Sequence, residues 1–270
     1  MADLDKLFAG SIPEIYDRYL VPLIFESYAS NLAERVANVE PTDVLETAAG
    51  TGVCTRALAL RLAAHVHIVA TDLNQPMLDY AARRLSGDSR ITWRQADALA
   101  LPFDERSFNV VACQFGVMFF PDKIQGYREA YRVLKPGGYF FFNVWDRISV
   151  NEFADVVTQA LAKLFPQDPP RFMARIPHGY HEVHAIKAEL VTAGFSSISI
   201  DTRIDTSNAS SPRDVAIAYC QGTPLRNEIE ARDSLRFQEA TNVATEALGR
   251  RFGTGSIEGR IGAHVFTAVR

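Results

Sequence analysis

Short apolar runs that end in small or acidic residues alternate along this chain with stretches of helical spacing. Asp43-Val44-Leu45-Glu46-Thr47 leads straight into Ala48-Ala49-Gly50-Thr51-Gly52, a tight glycine turn. Val53 to Ala64 then has helical spacing, and His65 to Thr71 returns as a second strand that stops at Asp72. Asn74 is placed to cap the next helix, with Pro76 in its first turn. Ile91 to Gln95 alternates as a third strand, and the almost wholly apolar Phe108 to Gln114 suits a parallel strand buried on both faces. Lys123 to Leu134 is amphipathic and ends at Lys135-Pro136-Gly137-Gly138, a helix stop, before a strand over Tyr139 to Trp145. A helix over His184 to Ala193 exits through Gly194-Phe195 into strands at Ser197 to Arg203 and Ile261 to Val269. Strands alternating with helices in this way indicate the α/β class.

The first of these turns carries the chemistry. Small residues at Ala48, Gly50 and Gly52 let a ligand approach the backbone where the amides of a helix N-terminus point outward. Asp72 follows at about 20 positions, the distance at which a carboxylate accepts hydrogen bonds from the paired hydroxyls of a ribose. The unit therefore predicts an adenosine-type cofactor. Dinucleotide sites use G-x-G-x-x-G, whereas this turn reads Glu46-x-Ala48-x-Gly50-x-Gly52. A carboxylate there repels a pyrophosphate and attracts an amino group, so an NAD enzyme is a weak alternative.

Those residues resemble the first motif of the class I S-adenosylmethionine-dependent methyltransferases, with Ala48 where the family usually has glycine. Thr71 to Leu78 is similar to the second motif, Leu101-Pro102-Phe103 and Ser107 to Val111 to a later segment, and Arg132 to Gly138 to a supporting motif that touches no cofactor. Asn109 stands where the family commonly has Asp, at a position read as structural. The resemblance implies a Rossmann-like α/β fold: a seven-stranded, mostly parallel sheet with helices on both faces and an antiparallel last strand. It implies S-adenosyl-L-methionine as cofactor and S-adenosyl-L-homocysteine as product. Glu46 would lie near the methionine part, with Ala48, Gly50 and Gly52 against it. Asp72 would hold the ribose, with Leu73 and Met77 in the same motif, and Asp97 the adenine amino group, with the amide of Ala98 facing the ring. Gln114 is a candidate for the methionine part and Tyr19, on an N-terminal helix, for closing the site.

Composition narrows the partners. At 270 residues the chain suits one domain, with 1–38 an N-terminal helical segment, 39–146 the cofactor half, and 147–182 and 210–259 insertions that cap a substrate site. The alternative use of the charged stretch Asn227 to Arg251 is subunit contact, so a homo-oligomer is an open reading. A net charge of −4 without a long basic run disfavours nucleic acid. The longest apolar stretches, Val110 to Phe120 and Tyr139 to Trp145, are too short to span a membrane, and the first residues lack a signal-peptide pattern, so a cytoplasmic location is expected. Cys54, Cys113 and Cys220 are odd in number and far apart, read as buried small residues. His178, His181 and His184 do not share one helical face, so they read as a polar loop and no metal is expected.

The expected function is methyl transfer to a small-molecule acceptor at O, N or C, by in-line displacement in a capped site. The alternatives are a non-catalytic cofactor-binding sensor or scaffold, or an enzyme modifying the cofactor itself. Cys113-Gln114-Phe115-Gly116 lacks the Asn/Asp, prolines and aromatic of enzymes that methylate base amines. Phe115 and Met118 are candidates for the substrate side, and Phe115, Trp145 and Tyr180 lean toward a planar or apolar acceptor. No catalytic residue is assigned; Tyr16, Tyr19, Asp146, His178 and His181 are the side chains able to take a proton.

Overall fold

A computed structural model describes residues 12–270. The expected leading helix pair over Met1 to Asn38 therefore lies partly outside the described residues. From Ile12 the chain forms a short helix α1 (Ile12–Ile15), a π-helical stretch Tyr16–Phe25 and α2 (Glu26–Ala37). Pro22 inside the π-helical stretch has no N–H to give to a regular ladder, which favours the wider winding there.

The order then is β1 (Asp43–Glu46), α3 (Val53–Arg61), β2 (His67–Asp72), α4 (Gln75–Arg84), β3 (Ile91–Gln95), β4 (Phe108–Gln114), α5 (Lys123–Val133) and β5 (Leu134–Trp145). It continues through α6 (Glu152–Leu164), α7 (Phe172–Arg175), α8 (Val183–Ala193), β6 (Ser197–Ala209), α9 (Pro212–Gln221), α10 (Leu225–Asp233), α11 (Phe237–Phe252) and β7 (Ile257–Val269). Among the described residues the strands form one seven-stranded sheet in the order β3-β2-β1-β4-β5-β7-β6. The pairs β1–β2, β1–β4, β2–β3 and β4–β5 are parallel. Strand β7 runs against β5, since Asp146 N donates to Gly262 O while Arg270 N donates to Gly138 O. The mostly parallel sheet with an antiparallel last strand matches the expectation.

Several boundaries differ from the sequence pattern. Helix α3 stops at Arg61 rather than Ala64, and the Arg90 guanidinium collects the carbonyls of Ala59, Leu62 and Ala63 at 2.6, 3.1 and 3.2 Å. Strand β5 starts at Leu134, five residues before the expected Tyr139. Opposite it, Phe108 pairs with Leu134 and Val110 already with Tyr139, so Pro136-Gly137-Gly138 forms a bulge, with Gly137 at φ 77°. The last two strands are longer than their apolar cores suggest, because β6 continues through the polar Asp205-Thr206-Ser207-Asn208 at the sheet edge. The stretch Asn227 to Arg251 is also not one helix. It breaks at Ser234–Arg236, where Asp233 Oδ1 accepts from Leu235 N at 3.0 Å.

The chain divides into two compact units, 26–144 with 181–202 and 264–270, and 12–25 with 145–180 and 203–263. The first holds the parallel sheet. Val44, Leu45, Ile68, Val110, Val111, Phe140 and Phe142 fill its core, with Phe142 stacked on Phe266 at 4.7 Å. Asn109 is structural, as read from the sequence. Its Oδ1 accepts from Thr42 N at 3.2 Å and Asp43 N at 3.0 Å, fixing the start of β1 against β4. The second unit is mainly helical, with α11 packed on α9 and α6, and Phe153, Val215, Ala216, Ala244 and Leu248 buried.

Candidate cofactor site

The turn after β1 is stitched to both neighbouring strands. Thr47 N donates to Ala112 O on β4 and Ala49 N to Thr71 O on β2, each at 2.9 Å. Along this turn the backbone enters the left-handed region three times, at Ala48 (φ 55°) between those anchors and at Gly50 (φ 57°) and Gly52 (φ 83°) just beyond them. Gly50 and Gly52 suit this because they carry no Cβ. A side chain at Gly50 would meet nothing within 4 Å, so the backbone there is open to a ligand, whereas at Gly52 it would press on Ala81 Cβ at 3.0 Å, where α4 packs close.

Ala48 is the departure from the family pattern, and the structure shows how it is accommodated. A Cβ placed on Gly116 would lie 2.4 Å from Ala48 Cβ and 2.7 Å from Cys113 Sγ. The methyl group thus occupies room left by a glycine beyond the end of β4. Phe115, just before that glycine, is itself left-handed at φ 54°. Nothing local in the sequence links positions 48 and 116; only the β1–β4 pairing brings them together.

Glu46 is buried at the end of β1, and its Oε2 accepts from Thr55 Oγ1 on α3 at 2.6 Å. Burial pushes its carboxyl up to about 8, against the opposing pull of the Thr55 and Cys54 hydrogen bonds, and nearby Asp72 adds to the rise. Asp72 is also buried. Its Oδ2 accepts from Gly50 N at 2.9 Å and its Oδ1 from Asn74 N at 2.7 Å, so the carboxylate ties the glycine turn to the start of α4. Burial raises its pKa and these backbone amides oppose the rise. Asn74 Nδ2 also reaches Oδ1, at 3.4 Å, and since each carboxylate oxygen has about two acceptor sites, Oδ2 keeps room for a hydroxyl donor. Asn74 does occupy the cap position of α4, but its side chain makes no cap bond.

The remaining candidates divide. Leu73 is 47 % exposed directly after Asp72, an apolar surface beside a carboxylate, while Met77 is buried. Asp97 is exposed beyond β3 with Oδ1 accepting from Leu99 N at 2.9 Å, and Ala98 is half-buried. Gln114 is buried at the end of β4 in register with Asn143 on β5. Phe115 and Met118 are buried, and the Phe115 ring packs edge-on against Tyr28 at 5.4 Å. Two further polar atoms escaped the sequence reading. Thr51 Oγ1, inside the turn, and Asn143 Oδ1 are buried without a hydrogen-bond partner. Thr51 sat at a spacer position, and the signal for Asn143 was one polar residue in the run Phe140-Phe141-Phe142-Asn143-Val144.

In the helical unit, Tyr19 is half-buried with the Arg18 guanidinium over its ring at 5.1 Å, and Tyr16 stacks on Phe25 at 5.2 Å. Trp145 is buried between Phe25 (5.8 Å) and the imidazole of His178 (6.2 Å). His178 Nδ1 lies 2.8 Å from Asp146 O. A carbonyl only accepts, so Nδ1 carries the hydrogen and Nε2 has the lone pair in the neutral ring. His181 pairs with Glu182 at 3.1 Å. Among the described residues no group of three His, Cys, Asp or Glu is arranged to hold a metal ion.

An open glycine turn, a buried partnerless hydroxyl within it, a carboxylate at the next strand end and an exposed leucine beside that carboxylate suit an adenosine-bearing, amino-acid-like molecule. A protein-family profile described as "Methyltransferase domain" matches residues 44–138, the span that builds this site. The chain is 32 % identical to the ubiquinone/menaquinone biosynthesis C-methyltransferase UbiE of Stenotrophomonas maltophilia over 59 % of this chain and 68 % of that protein. The chain belongs to the S-adenosylmethionine-dependent methyltransferases. The chain is also 45 % identical to the demethylmenaquinone methyltransferase of Clavibacter sepedonicus, over 38 % of its own length and 41 % of the relative's. The match thus spans about two-fifths of that relative. A solved structure of Haemonchus contortus phosphoethanolamine N-methyltransferase 2 in complex with S-adenosyl-L-methionine shares the fold, with TM-score 0.62 and 17 % identity over 99 % of this chain and 59 % of that one.

Proposed function

We propose that this methyltransferase moves a methyl group from S-adenosylmethionine to a planar, largely apolar small molecule of the quinone type. The carrying observation is the turn itself: three left-handed residues, the Gly50 amide held by Asp72, and Glu46 buried beneath. When bound, S-adenosylmethionine supplies an electrophilic methyl group on a sulfonium leaving group. Asp72 with Leu73 and Met77 would hold the ribose side, Asp97 and Ala98 the adenine, and Glu46, Ala48, Gly50, Gly52 and Gln114 the amino-acid part. The acceptor class follows the relatives' named activities, on demethylmenaquinone or in ubiquinone and menaquinone biosynthesis.

For the acceptor's proton we assign His178. Its Nδ1–H donates to the Asp146 carbonyl and its ring lies against Trp145, so Nε2 is the proton-accepting atom in the neutral ring. The inserted segments 147–182 and 210–259 serve acceptor selection. A small-molecule acceptor rather than nucleic acid fits the net charge of −4, and a cytoplasmic setting fits three buried free cysteines. Among the described residues no helix is long and apolar enough to cross a membrane.

Incubation with methyl-labelled S-adenosylmethionine and a panel of demethylated quinols tests this. Label is expected in an organic-extractable product. Stoichiometric binding of S-adenosylhomocysteine with no label in any quinol would overturn the acceptor assignment.

A further inference from the structure

Strand β6 closes one end of the sheet and is 13 residues long, and among them only Ser207 is buried. A strand of that length at an edge presents a row of main-chain donors and acceptors to any strand that can align with it. Its side chains determine which strand that is. Asp201, Arg203 and Asp205 alternate with the apolar or neutral Ile200, Thr202, Ile204 and Thr206, so the three charges share one face of the strand. Asp201 pairs with Arg35 at 2.5 Å and keeps 60 % of its side chain exposed, and Arg203 pairs with Asp205 at 2.9 Å. Ile204 is 53 % exposed.

The backbone adds a phase. Thr206 N donates to Asp205 Oδ1 at 2.9 Å, the bond expected of an N–H that faces away from the sheet, and on that basis we take the even-numbered positions as the outward-facing row. An antiparallel partner must therefore match even positions with even positions. Pairing two copies of β6 about Thr202 does this. It sets Thr202 against Thr202 of the partner copy, Ile200 against the partner's Ile204, and Asp201 against the partner's Arg203. The last falls in the closely spaced class of pair, with Cα atoms about 4.5 Å apart. On each side the charges then alternate as Arg35, Asp201, the partner's Arg203 and the partner's Asp205. A slip to the register about Arg203 keeps even positions opposite even positions but sets Asp201 against the partner's Asp205 and Arg203 against itself, so that like charges face each other.

We propose that β6 is the edge along which two copies of this chain join, antiparallel about Thr202, so that their sheets run on as one. Sedimentation velocity of the full chain over a dilution series is expected to show a reversible dimer. Arg203→Asp creates two like-charge pairs and is expected to raise the dimer dissociation constant about tenfold or more. Adding Asp201→Arg to that variant restores opposite charges across the edge and should recover dimerisation, with circular dichroism confirming the fold of each variant. For the register, oxidation of a mixture of Asp201→Cys and Arg203→Cys chains should yield a cross-linked dimer that neither gives alone, the native cysteines being buried. A native chain that stays monomeric throughout, or an Arg203→Asp dimer as tight as the native one, overturns the proposal, and cross-linking of Ile204→Cys with itself in place of the mixture overturns the register.

Discussion

The unit that carries the glycine turn and the helical unit hold their functional groups in different ways. In the first, function is written into backbone conformation. Ala48, Gly50, Gly52 and Phe115 all have positive φ, and main-chain bonds to Thr71 and Ala112 fix the turn that Asp72 then clamps. In the second, helices pack through ordinary apolar faces. One imidazole, His178, has its tautomer set by the Asp146 carbonyl, a residue 32 positions away in sequence. Cofactor recognition by local backbone demand leaves a readable trace in sequence. The proton acceptor proposed for His178, set by a contact made through chain folding, leaves no such trace.

The largest expected effect tests the helical unit. His178→Gln removes a proton acceptor, and turnover should fall about a hundredfold or more. Affinity for S-adenosylhomocysteine should stay within about twofold, which calorimetry can read alongside the rate. Unchanged turnover in that variant would remove His178 from the chemistry. Next comes Asp72→Ala, which deletes a charged acceptor from the turn and should weaken S-adenosylhomocysteine binding by about 2 kcal/mol, or roughly thirtyfold. Equal affinity for native and variant would return Asp72 to a purely structural role.

A smaller effect sharpens the account of the turn. Gly116→Ala forces a methyl group to within 2.4 Å of Ala48 Cβ, and chemical denaturation should show a loss of about 1 to 3 kcal/mol. Adding Ala48→Gly should return part of that loss, since the two positions share one space; strict additivity would show that they do not couple. The smallest is a matter of pH. Glu46 sits at about 8 in the folded chain against an ordinary 4.5, so the folded state holds the extra proton between those values. The stabilisation this gives is complete below 4.5 and is lost as pH rises through about 8. Glu46→Gln should flatten that slope in denaturation series at several pH values. Binding of a ligand with a cationic amino group favours the ionised carboxylate, so native affinity should rise as pH approaches about 8 from below.

Most of the sheet was legible because parallel strands buried on both faces leave uninterrupted apolar runs, as in Phe108 to Gln114. The edge strand β6 was only half legible, since its outer half alternates charged and hydroxyl residues that read as loop. The bulge at Pro136-Gly137-Gly138 read as a terminator because proline and glycine signal both. Within the site, Glu46, Gly50, Gly52 and Asp72 followed from spacing, and the structure brings them together. Gly116, Thr51 and Asn143 did not, because their meaning depends on which strands lie side by side. Phe115 was readable both as packing and as a substrate contact, and its ring packs on Tyr28.

The central claim is that the turn from Glu46 to Asp72 takes S-adenosylmethionine and not a dinucleotide. Isothermal titration of the native chain with S-adenosylhomocysteine, and separately with NAD, addresses it directly. Saturable one-to-one binding of S-adenosylhomocysteine with no heat from NAD is the predicted result. Binding of NAD without S-adenosylhomocysteine would contradict it.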